Sequence, residues 1–123
     1  MNVKNYVYTL LTSSNELKSI LGDGKILSAY PNEVTTFPTV VFEDSSERDA
    51  AYNDNLPNGL ISNVRVHVFV KSTKKSPTTW DIGSVIHNIF RVDYWSMNNN
   101  REMVEDDSIK HRIMDFSRNF FFG

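Results

Sequence analysis

The chain has 123 residues, enough for one domain with a core of its own. A formal net charge of −2 argues against a protein that holds nucleic acid by neutralising many phosphates, and the absence of cysteine removes disulfides, thiol nucleophiles and thiolate metal sites. At 40% hydrophobic and 12% aromatic residues the composition is that of a folded chain, not a disordered one.

Val3, Tyr6, Val7, Leu10 and Leu11 recur at helical spacing and mark one apolar stripe. Ser13 followed by Glu16 has the capping-box pattern and predicts a second short helix that buries Leu17, Ile20 and Leu21. Gly22-Asp23-Gly24 ends it, because glycine tolerates the left-handed conformation that closes a helix. Residues 25–30 read as a short strand stopped by Pro31, and Thr39-Val40-Val41-Phe42-Glu43 as another, introduced by Phe37-Pro38. Residues 45–59 are polar and turn-rich, without period, and predict a long loop of the kind that is usually functional. Val64, Val66, Val68 and Val70 then alternate with Arg65, His67, Phe69 and Lys71, the period of a strand with one apolar and one mixed face.

Ser76 as cap and Pro77 as first helical residue predict the start of a helix whose stripe is Ile82, Val85, Ile86, Ile89 and Phe90. Residues 94–97 suggest a strand, Asn98-Asn99-Asn100 a turn, and 101–107 a weak strand or loop. Residues 109–116 make a final strand with Lys110, Arg112, Met114 and Phe116 on one face and His111, Ile113 and Asp115 on the other. The order α-α-β-β-loop-β-α-β-β-β predicts a single α+β domain over residues 1–123. Its sheet is mostly antiparallel, with the N-terminal helices and one central amphipathic helix packed on one face. No apolar run reaches the ~18 residues of a spanning helix. The first residues lack a signal-peptide core, so the cytoplasm, or a particle assembled there, is the expected location.

Candidate chemistry is sparse. His67, His87 and His111 have no zinc spacing and read as surface or interface residues. His111 and Asp115 share a strand face and could serve as a general base in a small metal-dependent hydrolase or nuclease, yet no nucleophile accompanies them. The acidic groups Glu43, Asp44, Glu47, Asp49, Asp54 and Glu102, Glu105, Asp106, Asp107 lack a calcium-loop pattern and read as solvated charge. Gly22-x-Gly24 precedes a strand, where a dinucleotide fingerprint needs a helix. Lys71, Lys74 and Lys75 form a small basic connector. No cofactor, metal or catalytic residue is therefore expected.

Phe116, Phe120, Phe121 and Phe122 crowd the last residues. Leaving them in water costs about 25 cal/mol per Å² of apolar surface, so either the chain's own core or a neighbouring subunit covers them. Tyr52, Leu56 and Pro57 are apolar points on the polar excursion and pose the same choice. Together with Phe120, Phe121 and Phe122 they are the expected interface.

The order of phrases has a counterpart. Ile26-Leu27-Ser28-Ala29-Tyr30-Pro31 leads to Phe37-Pro38-Thr39-Val40-Val41-Phe42-Glu43, then to Val64-Arg65-Val66-His67-Val68-Phe69-Val70, a helix, and His111-Arg112-Ile113-Met114-Asp115-Phe116-Ser117-Arg118. Across nearly the whole chain this resembles the tail-completion, tail-to-head joining or tail-terminator proteins of long-tailed phages, with no matching phrase at 98–107. The resemblance implies an α+β structural protein of a phage or prophage virion that forms a hexameric ring. That ring caps the tail tube, meets the head connector and lets DNA pass without specific binding. It implies no catalysis, cofactor or membrane, and a subunit that can be a monomer when free. In such a ring Glu105, Asp106 and Asp107 would face the lumen.

Overall fold

Apolar spacing sets the helices, and their caps set the boundaries. The computed structural model describes residues 2–29, 31, 34–49, 52–53, 56–57, 59–106 and 108–121, with side chains omitted at 45–49, 52–53, 56–57, 104–106 and 121. Helix α1, Val3–Thr12, buries Val3, Val7 and Leu11, and the Asn2 side chain accepts from the Asn5 amide at its start. Helix α2, Asn15–Leu21, is capped by Ser14, whose hydroxyl accepts from the Leu17 amide at 3.1 Å. The expected cap, Ser13, instead closes α1, so Glu16 stands one place short of the capping-box position. Gly22 closes α2 at φ 59°, where a side chain would be strained.

Five strands make the main sheet: β1, Lys25–Leu27; β2, Thr39–Asp49; β5, Gly59–Lys71; β7, Ile109–Phe121; and β6, Ser96–Asp106, in that spatial order. Only β1 is parallel to its neighbour, with Ile26 opposite Val40, so this is the mostly antiparallel α+β sheet that the pattern predicts. Two further strands of two residues each, β3, Tyr52–Asn53, and β4, Leu56–Pro57, pair with one another.

The loop expected over 45–59 is in large part strand. β2 continues past a bulge between Asp44 and Ser46 to Asp49, paired with Leu60. Backbone pairing to β5 extends the strand through this polar stretch. The turn expected at Asn98-Asn99-Asn100 is also strand. The Asn98 and Asn99 amides donate to Ser117 and Asp115 of β7, and Asn100 accepts from Arg112 at 2.9 Å. A bulge between Met97 and Asn99 takes up the irregularity. Pairing with a long neighbour overrides the turn preference of asparagine.

Helix α3, Thr79–Val92, starts later than Ser76-Pro77 predicts. Thr78 is its cap: the Thr78 hydroxyl accepts from the Asp81 amide at 3.1 Å, while the Asp81 carboxylate accepts from the Thr78 amide at 2.9 Å. Thr78→Ala is expected to lower the unfolding free energy by ~1 kcal/mol in urea titration. Ser76→Ala, two residues outside the helix, should change it by less than ~0.5 kcal/mol. Gly83 lets α3 lie close on β7, since a Cβ there would stand 2.9 Å from Arg112 Cδ.

Ile82, Ile86 and Phe90 of α3 meet Val64, Val66 and Val68 of β5, Met114 and Phe116 of β7, and Val40 and Phe42 of β2 in one buried cluster, which also takes in α1 and α2. Phe90 stacks on Phe116 with centroids 4.2 Å apart and meets Trp95 edge-on at 5.3 Å. The helices thus occupy one face of the sheet.

Candidate functional site

Strand alternation sends Arg65, His67 and Phe69 of β5, and His111, Ile113 and Asp115 of β7, to the face away from this helix-packed cluster. The sequence reads that face as mixed and its histidines as surface or interface residues. The structure corrects this for both histidines: His67 is 5% and His111 3% exposed. Phe69 stacks on the His111 ring at 4.2 Å, and Val41 and Ile113 are buried on the same face. Aromatic and aliphatic neighbours remove the imidazoles from water, and alternation alone cannot register that.

His111 and Asp115 do lie on one face, yet each engages other side chains. The Arg65 guanidinium donates to both Asp115 oxygens, at 2.7 and 3.2 Å, and Asn99 adds a third donor. The Arg65 hydrogen bond, first among the causes, holds the Asp115 carboxyl below its usual range against the opposing effect of burial. Its contribution to stability is present above the ordinary carboxylate pKa and is lost as pH falls through the folded value. His111 turns elsewhere: its Nε2 is 2.8 Å from His67 Nδ1, and His67 Nε2 is 2.9 Å from Glu43 Oε2. Burial pushes the His67 pKa down, against the raising effect of Glu43. His87, on α3, is half-buried near the Phe116 ring. Among the described residues no group of three or more histidine, aspartate or glutamate side chains is placed to hold a metal ion.

A second polar cluster lies where α1, the end of α3 and β7 meet. The Asp93 carboxylate accepts from the Tyr6 hydroxyl at 2.7 Å, Arg118 Nη1 at 2.8 Å and Trp95 Nε1 at 3.0 Å. Arg118 Nη1 also donates to the Tyr6 oxygen and to the Asp93 carbonyl. Burial, then Asp93, raises the Tyr6 pKa. Tyr6, Asp93 and Arg118 are 25 to 112 positions apart in sequence, so no local pattern announces their meeting.

The expected interface residues divide. Phe120 takes the first of its two alternatives: it is 5% exposed in the chain's own core, edge-on to Tyr6 and Trp95, with Arg118 4.3 Å above its ring. That position is corrected from interface to core, because strand β7 runs to Phe121 and carries Phe120 under α1. Tyr52, Leu56, Pro57 and Phe121 have strand backbones, and their side chains lie outside the described residues, as does all of Phe122. Of the acidic residues expected at a lumen, Glu105 and Asp106 fall in β6 with side chains outside the described set, and Asp107 lies outside it entirely.

Among the described residues the large exposed hydrophobic side chains are Tyr8 on α1, Met103 on β6, and a group at the two ends of α3. Trp80, 61% exposed, lies over Arg112, and Tyr94, 82% exposed, follows Val92, 65% exposed. Sequence pattern singles out neither end as an interface, since lone aromatics outside a stripe carry no signal of exposure. Among the described residues strand β6 is an edge of the sheet, paired only with β7. Lys71 sits over the Phe37 ring at 4.9 Å, and Lys74 and Lys75 are exposed in the connector. Among the described residues no helix is long and apolar enough to cross a membrane.

No family model matches the chain, and no curated protein does. Among solved structures, the fold is similar to that of a chain in the virion of a native gene transfer agent particle. The TM-score is 0.65 at 13% identity, over 96% of this chain and 93% of that one.

Proposed function

We propose that this protein is a structural component of a phage or prophage virion, one that completes the tail and joins it to the head connector. The observation that carries the reading is the likeness in fold to a virion chain, which spans nearly the full length of both. The segment order that resembles tail-completion proteins leads to the same place independently. In this reading copies of the chain close a ring, a hexamer in the particle, between the tail tube protein and the connector proteins, and DNA passes through without specific binding.

The open edge of β6 and the exposed Trp80 and Tyr94 support a protein that works through contact with neighbours. Tyr52, Leu56, Pro57, Phe121 and Phe122 belong to the proposed contacts, and Glu105, Asp106 and Asp107 to the proposed lumen. The protein acts by shape, without catalysis. Support comes from Asp115, which is held by Arg65 and Asn99, and from His111, whose Nε2 is engaged by a second imidazole.

Electron microscopy of particles made without this gene product tests the reading. Filled heads separate from finished tails are the expected result. Joined, infectious particles would refute it. A Glu105→Lys, Asp106→Lys, Asp107→Lys triple variant that assembles yet delays DNA ejection would support the lumen assignment, and normal ejection would remove it.

A further inference from the structure

We propose that the groove along one side of α1 is, in the free protein, the seat of the chain's own Phe122, whose ring lies there against Tyr6 and Leu10. The groove has a volume of about 620 Å³ and is lined by Asn2, Asn5, Tyr6, Thr9, Leu10 and Ser13. These positions recur at helical spacing, so the groove follows α1 for roughly 16 Å at about 1.5 Å per residue. Tyr6 and Leu10 are half-buried, pack against the core and form its apolar part. Among the described residues none that lines it carries a charge, and the remainder are short amides and hydroxyls. That set fits an uncharged aromatic or aliphatic side chain with a few peptide groups beside it, and not an ion.

The path of β7 says which side chain is at hand. The strand brings Phe120 edge-on to Tyr6, with ring centroids 5.4 Å apart, and its backbone continues to Phe121. Phe122 stands two positions past Phe120, a reach of at most ~7 Å in extended chain. Strand alternation gives Phe122 the side that Phe120 takes, toward α1, and gives Phe121 the other. Tyr6 is both the contact of Phe120 and a wall of the groove, between Asn2 and Ser13. The next ring on that side of the chain therefore starts from the groove itself. Joining the two removes apolar surface of both from water.

The seat concerns the free chain and does not depend on the virion reading. Phe122 cannot fill the groove and meet a neighbouring subunit at once, so the contact proposed for it in the particle requires it to leave α1 first.

Nuclear Overhauser spectra of the full chain at low concentration test this. Cross-peaks from the Phe122 ring to the Leu10 methyl groups and the Tyr6 ring are the expected result. Phe122→Ala should abolish them and shift the Leu10 methyl signals, while the cross-peaks between Phe120 and Tyr6 stay. Absence of cross-peaks between Phe122 and Leu10, or Leu10 signals unmoved in Phe122→Ala, would overturn the seat. A mixture of labelled and unlabelled copies separates the sources: cross-peaks between copies would give the groove to a second copy and overturn the proposal. Cross-peaks to Leu10 from Tyr52, Leu56 or Pro57 in place of Phe122 would overturn it too, since those residues would then be the cover. Particles that join without this gene product would sink the virion reading and leave each of these results unchanged.

Discussion

Phe90→Ala is expected to lower the unfolding free energy by ~3–5 kcal/mol, the range for removing a large buried aromatic side chain. Phe90 is fully buried at the centre of the layer between α3 and the sheet, parallel to Phe116 and edge-on to Trp95. Truncation removes both ring contacts and leaves a cavity beside Phe116 and Trp95. The stacking loss alone is worth ~0.5–1.5 kcal/mol. In urea the midpoint should fall with little change in slope, and the melting temperature should drop by roughly 15 °C. Trp80→Ala is the control. That side chain is 61% exposed, and its loss should stay within ~0.5–1 kcal/mol, mostly its contact with Arg112. Equal losses in the two variants would show that the helix layer is not the main core.

The second large effect is at Arg118. Arg118→Ala is expected to cost ~2–4 kcal/mol, toward the lower part of the range for breaking a buried pair because both side chains are only partly buried. The substitution leaves the Asp93 carboxylate and the Asp93 carbonyl short of a donor, and strips the cation from the face of Phe120. Tyr6→Phe removes only a hydroxyl from the same cluster and should cost ~1 kcal/mol. Since Arg118 also donates to the Tyr6 oxygen, a double-mutant cycle should show coupling of ~0.5–3 kcal/mol between the two positions. Additive losses would mean that Asp93, not the triad, carries the tie between α1 and β7.

Both effects concern how the helices are fastened to the sheet, and the two clusters divide the molecule by face. On the helix side, the core around Phe90 and the tie at Asp93 fix α1 and α3. On the other side, ion pair Arg65–Asp115 and the histidine chain cross between β2, β5 and β7. The edge at β6 and the exposed Trp80 and Tyr94 lie outside both sets of contacts.

The elements with strong period are legible in the amino-acid order. The stripe of Val3, Val7 and Leu11, the valine alternation of 64–70 and the stripe of Ile82, Ile86 and Phe90 each take the form that their spacing predicts, because burial of one face imposes the spacing. The polar strands are not legible in this way. Residues 45–49 and 98–100 owe their extended form to a paired neighbour far along the chain, and backbone hydrogen bonding leaves no mark on side-chain period. Cap positions slip for a related reason: Ser13 and Ser14, or Ser76 and Thr78, are chemically alike, and three-dimensional packing chooses which residue faces the helix end.

The candidate sites follow the same rule. The sequence by itself determined the class of fold, the positions of the main apolar faces and the face shared by His111 and Asp115, since these depend on spacing within a single element. Only the tertiary structure decided that Asp115 belongs to Arg65, that His111 belongs to His67 and Glu43, and that Phe120 closes its own core. Those pairings join residues on different strands and helices, where distance along the chain says nothing about distance in space.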